Sequence, residues 1–261
     1  MIEAIREIIE YRDLLFMMTV RDLKIRYKQA AMGFMWAIFM PIVAVAAGIL
    51  IKKAMAVVSQ QAFDIQGLIS ITVKVLPWTF FVSSIRFSVQ ALVGNSALVT
   101  KIYFPRAILV LSSILACLFD FALAMVVLIV LLVIFKVGVS VYLVWLPLFL
   151  VLLLCYTFGL GLILSSANLF YRDVKYVVEV ILMFGIFFTP VFYEAAAFGR
   201  WQSIMLLNPL GSLLEQLNKV VVLHQAPDPF WTNYAILTCV GTFLLGMIVF
   251  HKTEPLFAEN I

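Results

Sequence analysis

The chain has 261 residues, of which 65% are hydrophobic and only 12% charged, with a formal net charge of +4. Soluble domains run near half apolar and a quarter charged, so a water-soluble fold is excluded and lipid is the expected solvent for most of this chain. Its basic residues border apolar spans, which argues against a nucleic-acid partner.

Residues 2–28 are expected to form an amphipathic interfacial helix. Phe16, Val20, Leu23 and Tyr27 share one helical face, and Arg21, Lys24 and Lys28 share another. The competing reading is a solvated helix packed on a partner subunit. Six basic residues precede Met32 (Arg6, Arg12, Arg21, Lys24, Arg26, Lys28), and no charge follows until Lys52. The first span is placed at residues 33–57, with Lys52 and Lys53 snorkelling at its far end. A second apolar segment covers residues 67–92. Lys74, Pro77 and Arg86 interrupt it, which predicts a break near Pro77.

Residues 94–106, GNSALVTKIYFPR, are the most polar stretch between spans and are expected to hold a short helix, with Pro105 starting the next element. The third span, 107–135, carries one charge, Asp120, for which Arg86 is the natural partner to propose. Lys136 to Ser140 make a turn, and a fourth span follows at 142–169, with Gly159 and Gly161 allowing close helix approach. The fifth span, 177–193, is barely long enough for a core of about 30 Å. Glu179 near its start is expected to pair with Lys175 one turn earlier. Residues 194–230 are too polar to span, and within them 203–224 are read as two short helices dipping into the outer leaflet, with Asn208-Pro209 as a breaker. The sixth span is 231–250. Trp36, Trp78, Trp145 and Trp231 fall near span ends, as interfacial belts require.

With the N-terminus in the cytoplasm, twelve basic residues fall on that side against six outside, which favours six spans with both termini inside. The fold class that follows is an all-α polytopic membrane protein: six transmembrane helices, an N-terminal amphipathic interfacial helix and re-entrant helices on the outer side between spans 5 and 6. Residues 1–261 form a single transmembrane domain.

Catalytic patterns are missing from the sequence. It has no GxxxxGK[ST], HExxH or GxSxG, and its two histidines lie in different loops. Cys117, Cys155 and Cys239 sit inside apolar runs as small hydrophobes, so neither a disulfide nor a metal site is expected. No signal peptide and no lipidation motif are read at either end. No internal repeat is seen, which argues against carriers built from inverted halves. The intramembrane charges Arg86, Asp120 and Glu179 are the candidates for a translocation path.

Five stretches, taken in order, resemble one family. They are RDLKIRYKQAAMGFMWAIFMPI at 21–42, LVGNSALVTKIYFPR at 92–106, NLFYRDVKYVVEV at 168–180, FFTPVFY at 187–193 and LNPL at 207–210. Together they resemble the transmembrane permease subunits of type-2 ABC exporters (the ABC-2 family), in the branch that exports polysaccharides and polyol phosphates. The stretch GSLLEQLNKVV after LNPL and the residue Lys74 depart from that pattern. The resemblance implies a homodimer served by a separate cytoplasmic P-loop ATPase dimer that binds ATP and Mg, with no cofactor in this chain. It implies a coupling helix within 94–106, carried by Gly94, Asn95, Lys101, Phe104, Pro105 and Arg106, with the basic helix of Arg21, Lys24 and Arg26 beside it. It also implies a conduit at the dimer interface for a lipid-linked glycan such as O-antigen, capsular polymer or teichoic acid, in the cytoplasmic (inner) membrane. The rivals are an ABC-2 permease for a small drug or lipid, a secondary carrier or channel, and a membrane enzyme of glycan assembly.

Overall fold

A computed structural model describes residues 2–28, 35–59 and 65–257. The described residues form helices joined by turns and short loops, without strands. Two short helices, α1 (Ile2–Glu10) and α2 (Arg12–Tyr27), precede α3 (Met35–Ser59) and α4 (Ile65–Gly94). A short α5 (Ser96–Lys101) leads to α6 (Ala107–Ile134), and a 3-10 turn (Val141–Trp145) opens α7 (Leu146–Phe170). Then come α8 (Val174–Phe188), α9 (Gln202–Leu206), α10 (Pro209–Val221) and α11 (Pro229–Thr253), closed by a 3-10 turn (Glu254–Leu256). Among the described residues, four helical stretches are long and apolar enough to cross a membrane: 66–94, 107–134, 141–170 and 229–256. Residues 29–34 of the basic approach to the first span lie outside the described residues.

The expected break at Pro77 is absent, and α4 runs unbroken through it. Proline removes one backbone donor, but surrounding helices can hold a proline-containing segment helical in a membrane bundle. Here α4 packs against α3, α6, α7, α8 and α10, and its central face is buried. Trp78 is likewise a core residue, one position beyond Pro77 in mid-helix, and not an interfacial anchor. Trp36 and Trp145 are partly exposed at helix starts, as belts require.

Local sequence sets the other ends. α8 begins three residues before the expected fifth span and stops at Phe188, because Thr189 precedes Pro190 and is held extended (φ −114°, ψ 132°). Asn208 does more than break the chain: its side chain caps α10 by accepting from the Leu210 N–H, with Pro209 in the first helical position. Asp228 caps α11 in the same way. The α10 helix is almost wholly buried against α4, α7 and α11.

The tightest crossing is α7 on α11. A Cβ on Gly246 would collide with the Gly159 backbone, and one on Gly159 would lie 2.5 Å from the Thr242 carbonyl oxygen. Small residues let the two backbones touch, the standard route to close packing where lipid removes most of the hydrophobic drive.

Candidate functional site

The ends of α4, α7 and α11 and the starts of α6 and α8 meet at one end of the bundle. Asn168, fully buried, fastens three of them: its Nδ2 donates to the Val89 carbonyl at 2.9 Å and its Oδ1 accepts from the Lys175 N–H at 3.2 Å. The polar stretch 94–106 forms the surface here. Gly94 is exposed with open space beside it. Asn95 turns its side chain back to the Ala91 carbonyl, and its own carbonyl receives the Leu98 and Val99 N–H groups that start α5. Val99 and Phe104 are buried, whereas Lys101, Ile102 and Tyr103 project outward, Tyr103 with 92% of its surface exposed. Pro105 is half-buried, and the next residue, Arg106, is tied down.

Arg106 is held by the far end of the chain. Its backbone N–H donates to the Glu254 Oε1 at 3.0 Å, its Nη1 donates to the Glu254 carbonyl, and its Nη2 donates to the Val99 carbonyl at 3.4 Å. Glu254 thus caps α6 from another helix, where no side chain of the α6 cap itself does so. A carboxylate at a helix N-terminus contributes about 0.3–1 kcal/mol when exposed and up to about 2 when partly buried. Phe257 seals the joint, fully buried between Phe170 and Phe250 with the Arg106 guanidinium 6.0 Å from its ring. Glu254 had no signal in a single sequence, because its partner Arg106 lies 148 residues away.

The basic N-terminal helix α2 packs along α6. Its protein-facing stripe includes Asp22, Arg26 and Tyr27, which dock on α6, while Phe16 and Met17 are exposed. Asp22 accepts from the Ser112 hydroxyl at 3.0 Å and also pairs with Arg21 at 2.8 Å. Lys24 is exposed. The partner of Asp120 is Arg26, at 3.0 Å, and not Arg86. The Tyr27 hydroxyl donates to the other Asp120 oxygen at 2.5 Å, and the Arg26 guanidinium stacks 3.8 Å over Phe87. Burial and the adjacent carboxylate push the Tyr27 hydroxyl pKa up, so it remains a donor. Only 14% of the Arg26 side chain and 27% of Asp120 are exposed. Hydrogen-bonding partners fix the face that docks on α6.

Arg86 instead grips Glu179 with two bonds, 2.8 and 2.9 Å, joining α4 to α8. The expected local pair of Lys175 with Glu179 does not form; the Lys175 ammonium lies 4.7 Å over the Tyr176 ring. Nearly half of each side chain of the Arg86–Glu179 pair is exposed (48% and 42%). Beside it, a cavity of about 630 Å³ runs between α4, α7 and α8, walled by Trp78, Phe81, Ile85, Tyr156, Val178 and Leu182. Deeper in α4, Lys74 is fully buried, donating to the Tyr193 carbonyl at 2.6 Å and lying 3.6 Å from the Glu215 carboxylate. Burial raises the Glu215 pKa, and Lys74 works against that rise. This pair explains how a lysine survives inside α4.

The ABC-2 type transporter family profile matches residues 13–222. The chain belongs to the ABC-2 type transporter family. It is a membrane transport protein by family and by its apolar helices. An O-antigen export system permease protein RfbA from Myxococcus xanthus is 29% identical, covering 100% of both chains. Two proteins of that name from Klebsiella pneumoniae are 28% and 29% identical, each covering 95% of this chain and 94% of the relative. Two of the five stretches singled out in the sequence, 92–106 and 168–180, map onto the tied loop of α5 and the Asn168-centred junction.

Proposed function

We propose that this chain is the permease subunit of an ATP-driven exporter that moves a lipid-linked polysaccharide across the cytoplasmic membrane. Near full-length similarity to O-antigen export permeases carries this reading. Two copies form the conduit between them, and a separate P-loop ATPase dimer supplies the work. Each copy crosses the bilayer six times, through α3, α4, α6, α7, the α8 segment and α11, with both termini in the cytoplasm. Residues 94–106 then face the ATPase, and α9 and α10 form the re-entrant pair on the outer side.

Physical chemistry supports each part. A sugar polymer presents many polar groups, and each left unpaired in hydrocarbon costs several kcal/mol, so it needs a walled path. An ion pair with nearly half of each side chain exposed, as Arg86 and Glu179 are, is poorly placed against lipid, where a charge costs about 2.5–3.5 kcal/mol. The pair therefore belongs on the conduit or the seam between copies. Asp120, tied to Arg26 and Tyr27, serves as an anchor for α2 instead. Arg26 shares that anchoring role and Arg21 pairs with Asp22, which leaves Lys24 as the exposed basic residue of the three offered to a partner. The loop tip at Lys101 to Tyr103 projects from a base fixed by Arg106, a geometry suited to receive a push.

Deleting the gene and staining the cell surface for glycan tests the reading. Loss of surface polymer with intracellular accumulation of its lipid-linked form is expected, and purification of the chain should bring an ATPase with it. Unchanged surface glycan in the deletion strain contradicts the proposal.

A further inference from the structure

The loop of residues 94–106 is tied to two helices. It enters α6 directly, and through Arg106 it is also fastened to the end of α11. The Glu254 carboxylate caps the first backbone N–H of the α6 turn, and the Arg106 guanidinium returns two bonds, one to the Glu254 carbonyl and one to the Val99 carbonyl of α5. Phe257 fills the space behind the joint and leaves no exposed surface of its own. From there α11 runs to the Gly159–Gly246 contact, where the α7 and α11 backbones meet without a side chain between them.

We propose that Glu254 is a positioning residue of the transport cycle, carrying displacement of the exposed loop tip into α11 and, through the glycine contact, into α7. This rests on the permease reading above. The physical reasoning is one of stiffness. A tip connected only through the chain could move by bending at Pro105, whereas the reciprocal bonds make α5, the start of α6 and the end of α11 move as one body. Closely packed backbones transmit such a shift because packed cores deform little. Spatial continuity alone is not coupling, and glycan exported per ATP is the quantity that reads it.

The experiment uses the full chain reconstituted with the ATPase that copurifies with it. Complex formation, ATP hydrolysis and glycan export are measured separately. For Glu254→Ala, the complex forms and ATP hydrolysis stays within about twofold of wild type, while glycan exported per ATP falls about tenfold, inside the usual range of coupling effects. Glu254→Gln keeps an oxygen acceptor for the Arg106 N–H and should retain most of the wild-type ratio. A wild-type export ratio in Glu254→Ala overturns the proposal. So does loss of the complex in proportion to loss of export, since that makes Glu254 part of the docking surface only. If Glu254→Ala gives no folded protein, Arg106→Lys decides, because lysine keeps the charge but cannot hold both carbonyls: a reduced ratio supports the clasp and an unchanged one overturns it. Export by wild type that needs no ATPase overturns the permease reading itself and the clasp with it, and is recognised because it appears before any substitution.

Discussion

The Arg26–Asp120 pair yields the sharpest quantitative prediction. At 3.0 Å and an effective dielectric near 20, the gross attraction is roughly 5–6 kcal/mol. Desolvation of two largely buried groups returns much of that, leaving a net coupling of about 2 kcal/mol. Removing Asp120 alone is worse than the net figure, because the guanidinium of Arg26 is left without its carboxylate and against the Phe87 ring, the Ser113 carbonyl and the Cys117 sulfur. Asp120→Ala should therefore destabilise by about 3 kcal/mol, within the range for stranding one member of a buried pair. The assay is a double-mutant cycle on Arg26→Ala and Asp120→Ala, read by equilibrium unfolding in mixed micelles. A parallel cycle on Arg86→Ala and Asp120→Ala should give coupling near zero, since Arg86 is committed to Glu179. A coupling below about 0.5 kcal/mol for the first cycle, or a larger value for the second, refutes the reasoning.

Three further outcomes follow from the packing. Gly246→Ala forces α7 and α11 apart and should lower stability by about 1–3 kcal/mol, whereas Gly241→Ala, with open space at its Cβ, should be tolerated; thermal unfolding in detergent compares them. Lys74→Met strands the Glu215 carboxylate, whose folded pKa is already raised by burial. The stability of that variant should be greatest below the unfolded carboxylate pKa and decline as pH rises through the folded one, while adding Glu215→Leu should remove the pH dependence and restore stability. A cysteine at position 86 or 179 should react with a charged, membrane-impermeant thiol reagent in a background lacking the native cysteines, and one at Val133 on α6 should not. Equal labelling of all three contradicts a watered face at the Arg86–Glu179 pair.

Local chemistry made much of the fold legible. Composition indicated the membrane class, Asn208-Pro209 marked a boundary between two short helices, and the glycines of α7 marked a close crossing. Single residues inside long apolar runs were harder to interpret. Pro77 and Lys74 look like a helix break until the surrounding helices and Glu215 are in place. Asp120 and Arg86 are both lone charges in the sequence, and nothing along the chain says that each has a different partner. The Arg106–Glu254 clasp is invisible for the same reason: a bond between residues far apart in the chain leaves no periodicity to find. The loop at 94–106 was recognisable because its polarity contrasts with its neighbours, but its rigidity comes from the C-terminal turn.

Reconstitution tests the central claim most directly. The purified chain, with and without its copurifying P-loop ATPase, is placed in liposomes with a lipid-linked glycan, and translocation is followed by access of an enzyme that trims the glycan from one side. Translocation should require both proteins and ATP hydrolysis, and it should persist when ion gradients are collapsed. Translocation by the chain alone, or driven by an ion gradient without ATP, would make it a carrier and contradict the account.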